Sequence, residues 1–166
     1  YNFYKRWSNR LLTKSLYGTG PYSIEYPKLD HQGISATSDK HIHLIIVGMN
    51  RMGIALAKEA AHLLHFPNFN ESTGANRTRI TFIDDNADIE KDFFVGRLSR
   101  FFDVSPILYA DLSNDSFSEY KVLNPDKKHA NFIDVQFEFI KGRVESNNVR
   151  KWIIQELKDD TAITSI

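Results

Sequence analysis

The chain of 166 residues contains no cysteine, which excludes a disulfide framework, a thiolate metal site and a cysteine nucleophile. This absence fits a reducing compartment, and we expect a cytoplasmic protein. Long hydrophobic runs are missing too, since no apolar stretch approaches the roughly 18 residues that are needed to cross a bilayer. The net charge is zero, so no overall field attracts nucleic acid, and we expect no nucleic-acid partner.

The first 40 residues differ in composition from the rest of the chain. They hold six basic and three acidic residues, and the first 17 combine four cations with five aromatic rings. This pattern predicts a short helix over 3–16, followed by an extended connection with glycine, proline and serine over 18–40. We therefore divide the chain into an N-terminal basic and aromatic segment with a linker, 1–40, and a domain over 41–166.

Apolar runs and helical periodicities alternate through this domain. The predicted strands cover 44–47, 79–83 and 135–141, with a short strand at 107–109 also compatible with the sequence and another beginning in the last six residues. The predicted helices follow the turn at 48–53 as far as about His65, cover 87–102 with Asn86 as cap, and start at Ser146, while a polar insertion covers about 111–131. This order predicts a Rossmann-like three-layer α/β/α fold with a mainly parallel sheet, incomplete at the C-terminus.

The turn between the first strand and its helix has the features of a phosphate-binding turn. Such a turn needs helix N-terminal N–H groups, and glycines where the chain bends or approaches phosphates. Gly48 stands in the first glycine position, and Gly53 stands where the helix packs closely on the sheet. Asn50 replaces the middle glycine. Asparagine adopts the left-handed conformation more easily than most residues, so it is compatible with the turn, but its side chain occupies space that a pyrophosphate approaches.

An acidic residue ends the second predicted strand. Asp84 lies 36 residues after Gly48, and the polar loop over 66–78 accounts for this long separation. A carboxylate there can accept hydrogen bonds from both hydroxyls of an adenosine ribose. Arg51 is either a phosphate ligand or a solvated first-turn residue, and Asp85 is expected to cap the next helix. Two interpretations of the turn stay open: a nucleotide site, or a turn retained only for packing.

These residues resemble a known family. The stretch Leu44-Ile45-Ile46-Val47-Gly48-x-Asn50-Arg51-x-Gly53, followed by Ala55-Leu56-Ala57, resembles the TrkA-N, or RCK, domain, which regulates potassium channels and transporters. The resemblance implies that Arg51 and Asp84 match the family's turn arginine and ribose-binding acid. It also places Gly142 and Arg143 at the segment flanking the adenine, where Arg143 replaces an aspartate. The implied ligand is NAD or NADH, with ATP, ADP, AMP or no ligand as alternatives, and the implied site comprises Gly48, Asn50, Arg51, Met52, Gly53, Asp84, Asp85, Gly142 and Arg143.

A wider stretch, 60–69 with 79–84, is similar to bacterial proteins in which a TrkA-N-like domain is fused to a ryanodine-receptor-type (RyR) repeat domain. The resemblance therefore implies an attached membrane or RyR-type domain as partner, and by analogy a homodimer. In a membrane-bound parent the basic, aromatic N-terminal stretch would flank a membrane span on the cytoplasmic side. The alternative is an ordinary surface helix.

Other side-chain groups give weaker signals for function. The pairs His41/His43 and His62/His65 lack further ligands, so we expect no metal site. The helical spacing of Phe93, Phe94, Phe101 and Phe102 indicates core or interface residues. No acid–base pair accompanies the turn, so we expect no enzyme. We therefore expect a regulatory nucleotide-binding module; the alternatives are a degenerate Rossmann domain acting in assembly and a fragment of an NAD-dependent oxidoreductase.

Overall fold

The computed structural model describes residues 2–13, 16–17, 24–25, 29, 33–114, 119–124 and 132–166. In chain order, the helices are α1 (Phe3–Thr13), α2 (Arg51–Leu63), α3 (Ala87–Arg97), α4 (Ser99–Phe102) and α5 (Asn147–Glu156). The strands are β1 (Leu16–Tyr17), β2 (Ile24–Glu25), β3 (His41–Val47), β4 (Thr78–Asp84), β5 (Ile107–Asp111), β6 (Lys121–Val122), β7 (Val135–Lys141) and β8 (Ala162–Ser165).

A six-stranded sheet with the order β6-β5-β7-β4-β3-β8 forms the centre of the molecule. All neighbouring strands in it run parallel except β5 and β6, which are antiparallel, and β1 and β2 form a separate antiparallel pair. β3, β4 and β7 are buried along most of their length, as expected for parallel strands that are covered on both faces of the sheet. The predicted α/β fold with a mainly parallel sheet is confirmed.

Alternate strand residues contribute to two separate apolar clusters, one on each face of the sheet. The larger cluster joins Ile46 and Phe82 to residues of α1, α2, α3 and α4. The smaller one joins Ile45 and Ile83 to Val149 and Trp152 of α5. The sheet therefore lies between two helical layers, as expected for a Rossmann-like domain.

Aromatic packing fills the larger cluster. The rings of Phe82 and Phe139 stack with centroids 5.8 Å apart, and Phe94 meets Phe82 edge-on at 5.5 Å. Residues 87–102 do not form the single helix that was predicted, since the chain breaks at Leu98 between α3 and α4. The break lets both rings of the adjacent pair Phe101 and Phe102 contact Phe137, at 5.6 and 5.4 Å.

The N-terminal helix packs directly on α2. Asn9 Nδ2 donates to Glu59 Oε1 at 3.0 Å, and Leu12 is buried in the larger cluster. Glu59, which the helical pattern places on an exposed polar side of α2, is therefore buried. The described helix covers Phe3–Thr13, whereas the prediction extended to residue 16. Of the predicted connection over 18–40, residues 18–23, 26–28 and 30–32 lie outside the described part of the chain.

The predicted insertion over 111–131 is where the observed secondary structure differs most from the prediction. β5 extends to Asp111 and pairs with β7, and β6 adds a short antiparallel edge strand within the range 111–131 that was predicted to be irregular. The rest of that range, at 115–118 and 125–131, lies outside the described residues.

Among the helices that the structure describes, none has the length and apolar character that a membrane span requires.

Candidate functional site

Parallel strands bring the residues of the predicted site to one edge of the sheet. The turn after β3, the end of β4 and the end of β7 are neighbours there, because β4 pairs with both other strands. Gly48 N donates to Ile83 O at 2.8 Å, and Gly142 N donates to Asp84 O at 3.0 Å. Ligands of open α/β sheets bind at this carboxyl-terminal edge.

Two glycines shape the turn. Gly48 has φ +91°, in the left-handed region that other residues rarely adopt. A Cβ on Gly53 would lie 2.5 Å from the carbonyl oxygen of Gly48 and 3.0 Å from Cγ2 of Ile46. The expectation that Gly53 permits close packing of the helix on the sheet is therefore confirmed.

The left-handed conformation that the sequence allows for Asn50 does not occur in the structure. Its φ of −77° and ψ of 176° are extended, and the positive φ of the turn belongs to Gly48. Asn50 is instead the N-cap of α2, and its Oδ1 accepts from Met52 N at 2.9 Å and Gly53 N at 3.0 Å. The side chain thus occupies two N–H groups that a helix N-terminus otherwise offers to an anion.

Two other backbone donors of the turn stay open. Met49 N donates to Asp84 and Ile54 N donates to Asn50 O, whereas the N–H groups of Asn50 and Arg51 meet no acceptor among the described residues. The Arg51 side chain is exposed and forms no ion pair within the described part of the chain. The first turn of α2 therefore keeps two N–H groups and one guanidinium for an external anion.

Asp84 holds the turn against the end of β4. Its Oδ2 accepts from Met49 N at 2.8 Å and its Oδ1 accepts from Asn86 N at 2.8 Å. The side chain is fixed by these bonds and only partly buried. Each oxygen of an ionised carboxylate can accept two hydrogen bonds, so one acceptor position remains on each oxygen.

Asp85 pairs with Arg143 instead of capping α3. Arg143 Nε donates to Asp85 Oδ2 at 2.9 Å, across the ends of β4 and β7. This hydrogen bond raises the pKa of Arg143, but both side chains are largely exposed, and such pairs contribute little to stability. The prediction that Asp85 caps α3 is wrong. Asn86 is the N-cap residue of α3, as predicted, although its side chain makes no capping bond.

Gly142 is required by the packing of α5. A Cβ there would lie 2.8 Å from Cγ2 of Val149, the first buried residue of that helix. Gly142 therefore lets α5 approach the end of β7, and Arg143 follows it at the surface.

A second polar cluster, which the sequence analysis missed, is buried between the sheet and α5. Arg79 Nε and Nη2 donate to the two oxygens of Glu138 at 2.7 and 3.0 Å, and its Nη1 donates to Glu156 at 2.8 Å. Burial alone would raise the pKa of Glu138, but the charge and hydrogen bonds of Arg79 hold this pKa below its usual value. Burial would also raise the pKa of Glu156, but the contact with His43 and, after it, the charge and hydrogen bond of Arg79 hold this pKa below its usual value.

His43 belongs to this cluster and is completely buried. Thr81 Oγ1 donates its only proton to Glu138 at 2.7 Å, so it accepts from Nε2 of His43, which lies 2.8 Å away. Nδ1 of His43 lies 3.3 Å from Glu156 Oε2. The signal in the sequence was the presence of polar residues in the middle of two strands that are otherwise largely buried. The structure pairs two of these residues, Thr81 and Glu138, as direct neighbours across β4 and β7. In the described residues, no three potential ligands gather into a metal site.

Comparison of the chain with protein-family models, with curated proteins and with solved structures found no match.

Proposed function

We propose that this domain is a regulatory nucleotide-binding module of the TrkA-N type within a larger cytoplasmic or membrane-attached protein. The observation that carries the proposal is the proximity of two complementary groups at the carboxyl end of the sheet. The open donors of Asn50 and Arg51 suit a phosphate, and the fixed carboxylate of Asp84 suits ribose hydroxyls. The ligand class is an adenosine phosphate: NAD, NADH, ATP, ADP or AMP.

The ligand's phosphate accepts from the N–H groups of Asn50 and Arg51 and from the Arg51 guanidinium. Its ribose hydroxyls donate to the free acceptor positions of Asp84. Because Asn50 already occupies the N–H groups of Met52 and Gly53, one phosphate fits this turn without rearrangement. The pyrophosphate of a dinucleotide needs the Asn50 side chain to turn away.

Regulation follows from differential binding. A ligand that contacts the ends of β3 and β4 favours the arrangement of the domain in which those ends are held together. An attached channel, transporter or RyR-type domain would respond to that shift, and no chemical step on the ligand is required.

A second candidate function, assembly without a ligand, is favoured by one specific observation. Asn50 caps α2, and Asp84 bonds to Met49, so much of the turn's hydrogen bonding is satisfied from within the chain. In this alternative the turn is retained for packing only.

Calorimetric titration with NAD, NADH, ATP, ADP and AMP distinguishes the two candidates. We expect saturable binding of at least one nucleotide, and we expect Asp84→Asn to weaken it more than Asp85→Asn, the matched control at the neighbouring position. Within the described residues, the Asp85 side chain forms the exposed pair with Arg143 and no other ion pair. The nucleotide proposal is refuted if none of the five ligands produces heat at millimolar concentration, and equal effects of the two variants would remove Asp84 from the site.

A further inference from the structure

Helix α3 carries an apolar surface that the described residues leave largely exposed. Ile89 and Phe93 are 57% and 62% exposed, although both are large apolar side chains. Gly96 is also exposed, and the spacings of four and three residues place all three on one face of the helix. We call these three residues the α3 ridge.

Gly96 has no explanation inside the domain. Glycine weakens a helix relative to alanine, so its use there needs a reason. A Cβ built on Gly96 meets no atom within 4 Å, whereas a Cβ on Gly53 would clash with the backbone. Gly96 therefore leaves a notch on the outer surface, where another backbone or a large side chain can come close.

Two charges lie along one side of the α3 ridge. Glu90 and Arg97 are separated by seven residues, which is two helical turns, so they share that side. Neither forms an ion pair with a described residue. Beside them, a cavity of about 280 Å³ lies between α2 and α3. Its lining combines the charged side chains of Lys58, Glu90 and Arg97 with the apolar ones of Ile54, Phe93, Phe94 and Leu98.

The charges of Glu90 and Arg97 are complementary to the same two charges on a second, antiparallel copy of the helix. In a two-fold pair of antiparallel α3 helices, the side with Glu90 and Arg97 faces the same side of the second copy in the opposite direction. Each Glu90 then meets Arg97 of the other copy, and the axis passes beside Phe93. Along the helix axis, Gly96 then lies opposite a point between Phe93 and Ile89 of the second copy. The missing side chain of Gly96 leaves room there for these two large side chains.

The geometry points to a second copy of this chain as the occupant of the α3 ridge, in a two-fold antiparallel arrangement. This inference does not depend on the nucleotide site. A single pair of helices buries less than the roughly 800 Å² per partner of a standard stable interface, so we expect a weak, reversible dimer.

Sedimentation velocity of the full chain from micromolar to millimolar concentration tests the dimer. The sedimentation coefficient should rise from that of the monomer to that of the dimer. Phe93→Ala and Gly96→Leu should each weaken association roughly tenfold or more, as expected for central interface positions. The control is Ile154→Ala, which removes a similarly exposed apolar side chain from α5, 53% exposed, and should have no effect.

Charge reversal tests the antiparallel arrangement. Glu90→Arg and Arg97→Glu should each weaken self-association, because like charges then face each other twice. An equimolar mixture of these two single variants should restore association, since every facing pair is again opposite in charge. Circular dichroism of each variant serves as the control that the variant is folded. A chain that stays monomeric at all concentrations, a dimer that ignores Phe93→Ala and Gly96→Leu, or a mixture that fails to recover would each overturn the inference.

Discussion

At the scale of single residues, Asn50 determines how many backbone donors the turn after β3 can offer to a ligand. Its side chain caps α2 by accepting from Met52 N and Gly53 N, which are the groups that a middle glycine would leave to a phosphate. A glycine there would open both donors and would cost only a few tenths of a kcal/mol of helix stability, against about 1 kcal/mol for alanine.

Asn50→Gly should therefore bind NAD and ADP more tightly than the natural chain, while its free energy of unfolding changes little. The matched variant is Asn50→Asp, which keeps an acceptor for both N–H groups but places a negative charge beside the phosphate. It should keep the stability and lose the binding. Calorimetric titration and urea unfolding measure the two properties. Weaker binding by Asn50→Gly would show that the asparagine contributes a contact to the ligand.

Two helix glycines serve opposite purposes, and alanine at each gives a direct comparison. Gly53→Ala forces a Cβ to 2.5 Å from a backbone oxygen, so it should lower the free energy of unfolding by about 1–3 kcal/mol. Gly96→Ala meets open space and should raise the stability of the monomer by roughly 0.5–1 kcal/mol. Urea unfolding at a concentration where the chain is monomeric checks both. Equal losses at the two positions would contradict the packing account of Gly53.

At the scale of elements, β3, β4, β7 and α5 are joined by the buried cluster around Arg79. Replacing Arg79 with leucine leaves Glu138 buried without its cation, which costs about 3–5 kcal/mol when a buried pair is broken from one side. The control is Arg100→Leu on α4, an exposed cation, which should change stability by no more than about 0.5 kcal/mol. Urea unfolding compares them, and similar small losses would show that the cluster contributes little.

The same cluster predicts how stability depends on pH. The pKa values of Glu138 and Glu156 are lower in the folded chain than their ordinary value of 4.5, so ionisation of these groups favours folding. Their contribution is present above about pH 4.5 and is lost as the pH falls through the lowered pKa values. Glu156→Gln should make stability less dependent on pH below that point. Urea unfolding between neutral and acidic pH tests this, and an unchanged acid slope in the variant would contradict it.

The elements that could be predicted from sequence are those whose pattern is local. The strand predicted from the alternating pattern of 135–141 matches the observed bounds of β7, Val135–Lys141, and the start of α2 follows from the turn that precedes it. β6 and the pairing of β5 with β7 depend on contacts between distant segments, so no local pattern indicated them. The burial of Glu59 depends on α1 lying against α2, which helical periodicity cannot show.

The candidate site was predictable in position but not in its hydrogen bonding. The order of strands places Gly48, Asp84 and Gly142 at one edge of the sheet, and the structure brings them together. The extended conformation of Asn50, its cap on α2 and the bond from Met49 N to Asp84 could not be predicted, because they depend on dihedral angles and distances within the turn. The pairing of Asp85 with Arg143 likewise joins residues 58 positions apart.

At the scale of the whole molecule, the carboxyl-terminal edge of the sheet and the α3 ridge are separate surfaces, and a different binding role is proposed for each. The edge combines a fixed carboxylate, two open N–H groups and an exposed guanidinium. The ridge lies on the helix that begins directly after Asp84 and Asp85. At the sheet edge, we propose that the first turn of α2 holds a phosphate and that Asp84 holds the ribose of the same ligand.

The direct test of the phosphate site is calorimetric titration with ADP and with adenosine. The two proteins to compare are the full chain and Arg51→Gln. The Arg51 side chain is exposed and forms no ion pair or hydrogen bond with a described residue, so the variant should keep its structure. We predict that it loses about tenfold or more in ADP affinity, because a hydrogen bond to a charged group contributes about 1.5–3 kcal/mol, while its affinity for adenosine stays unchanged. Lys58→Gln, on the same helix and outside the turn, should change neither. Equal affinity of the natural chain and Arg51→Gln for ADP would contradict the phosphate site.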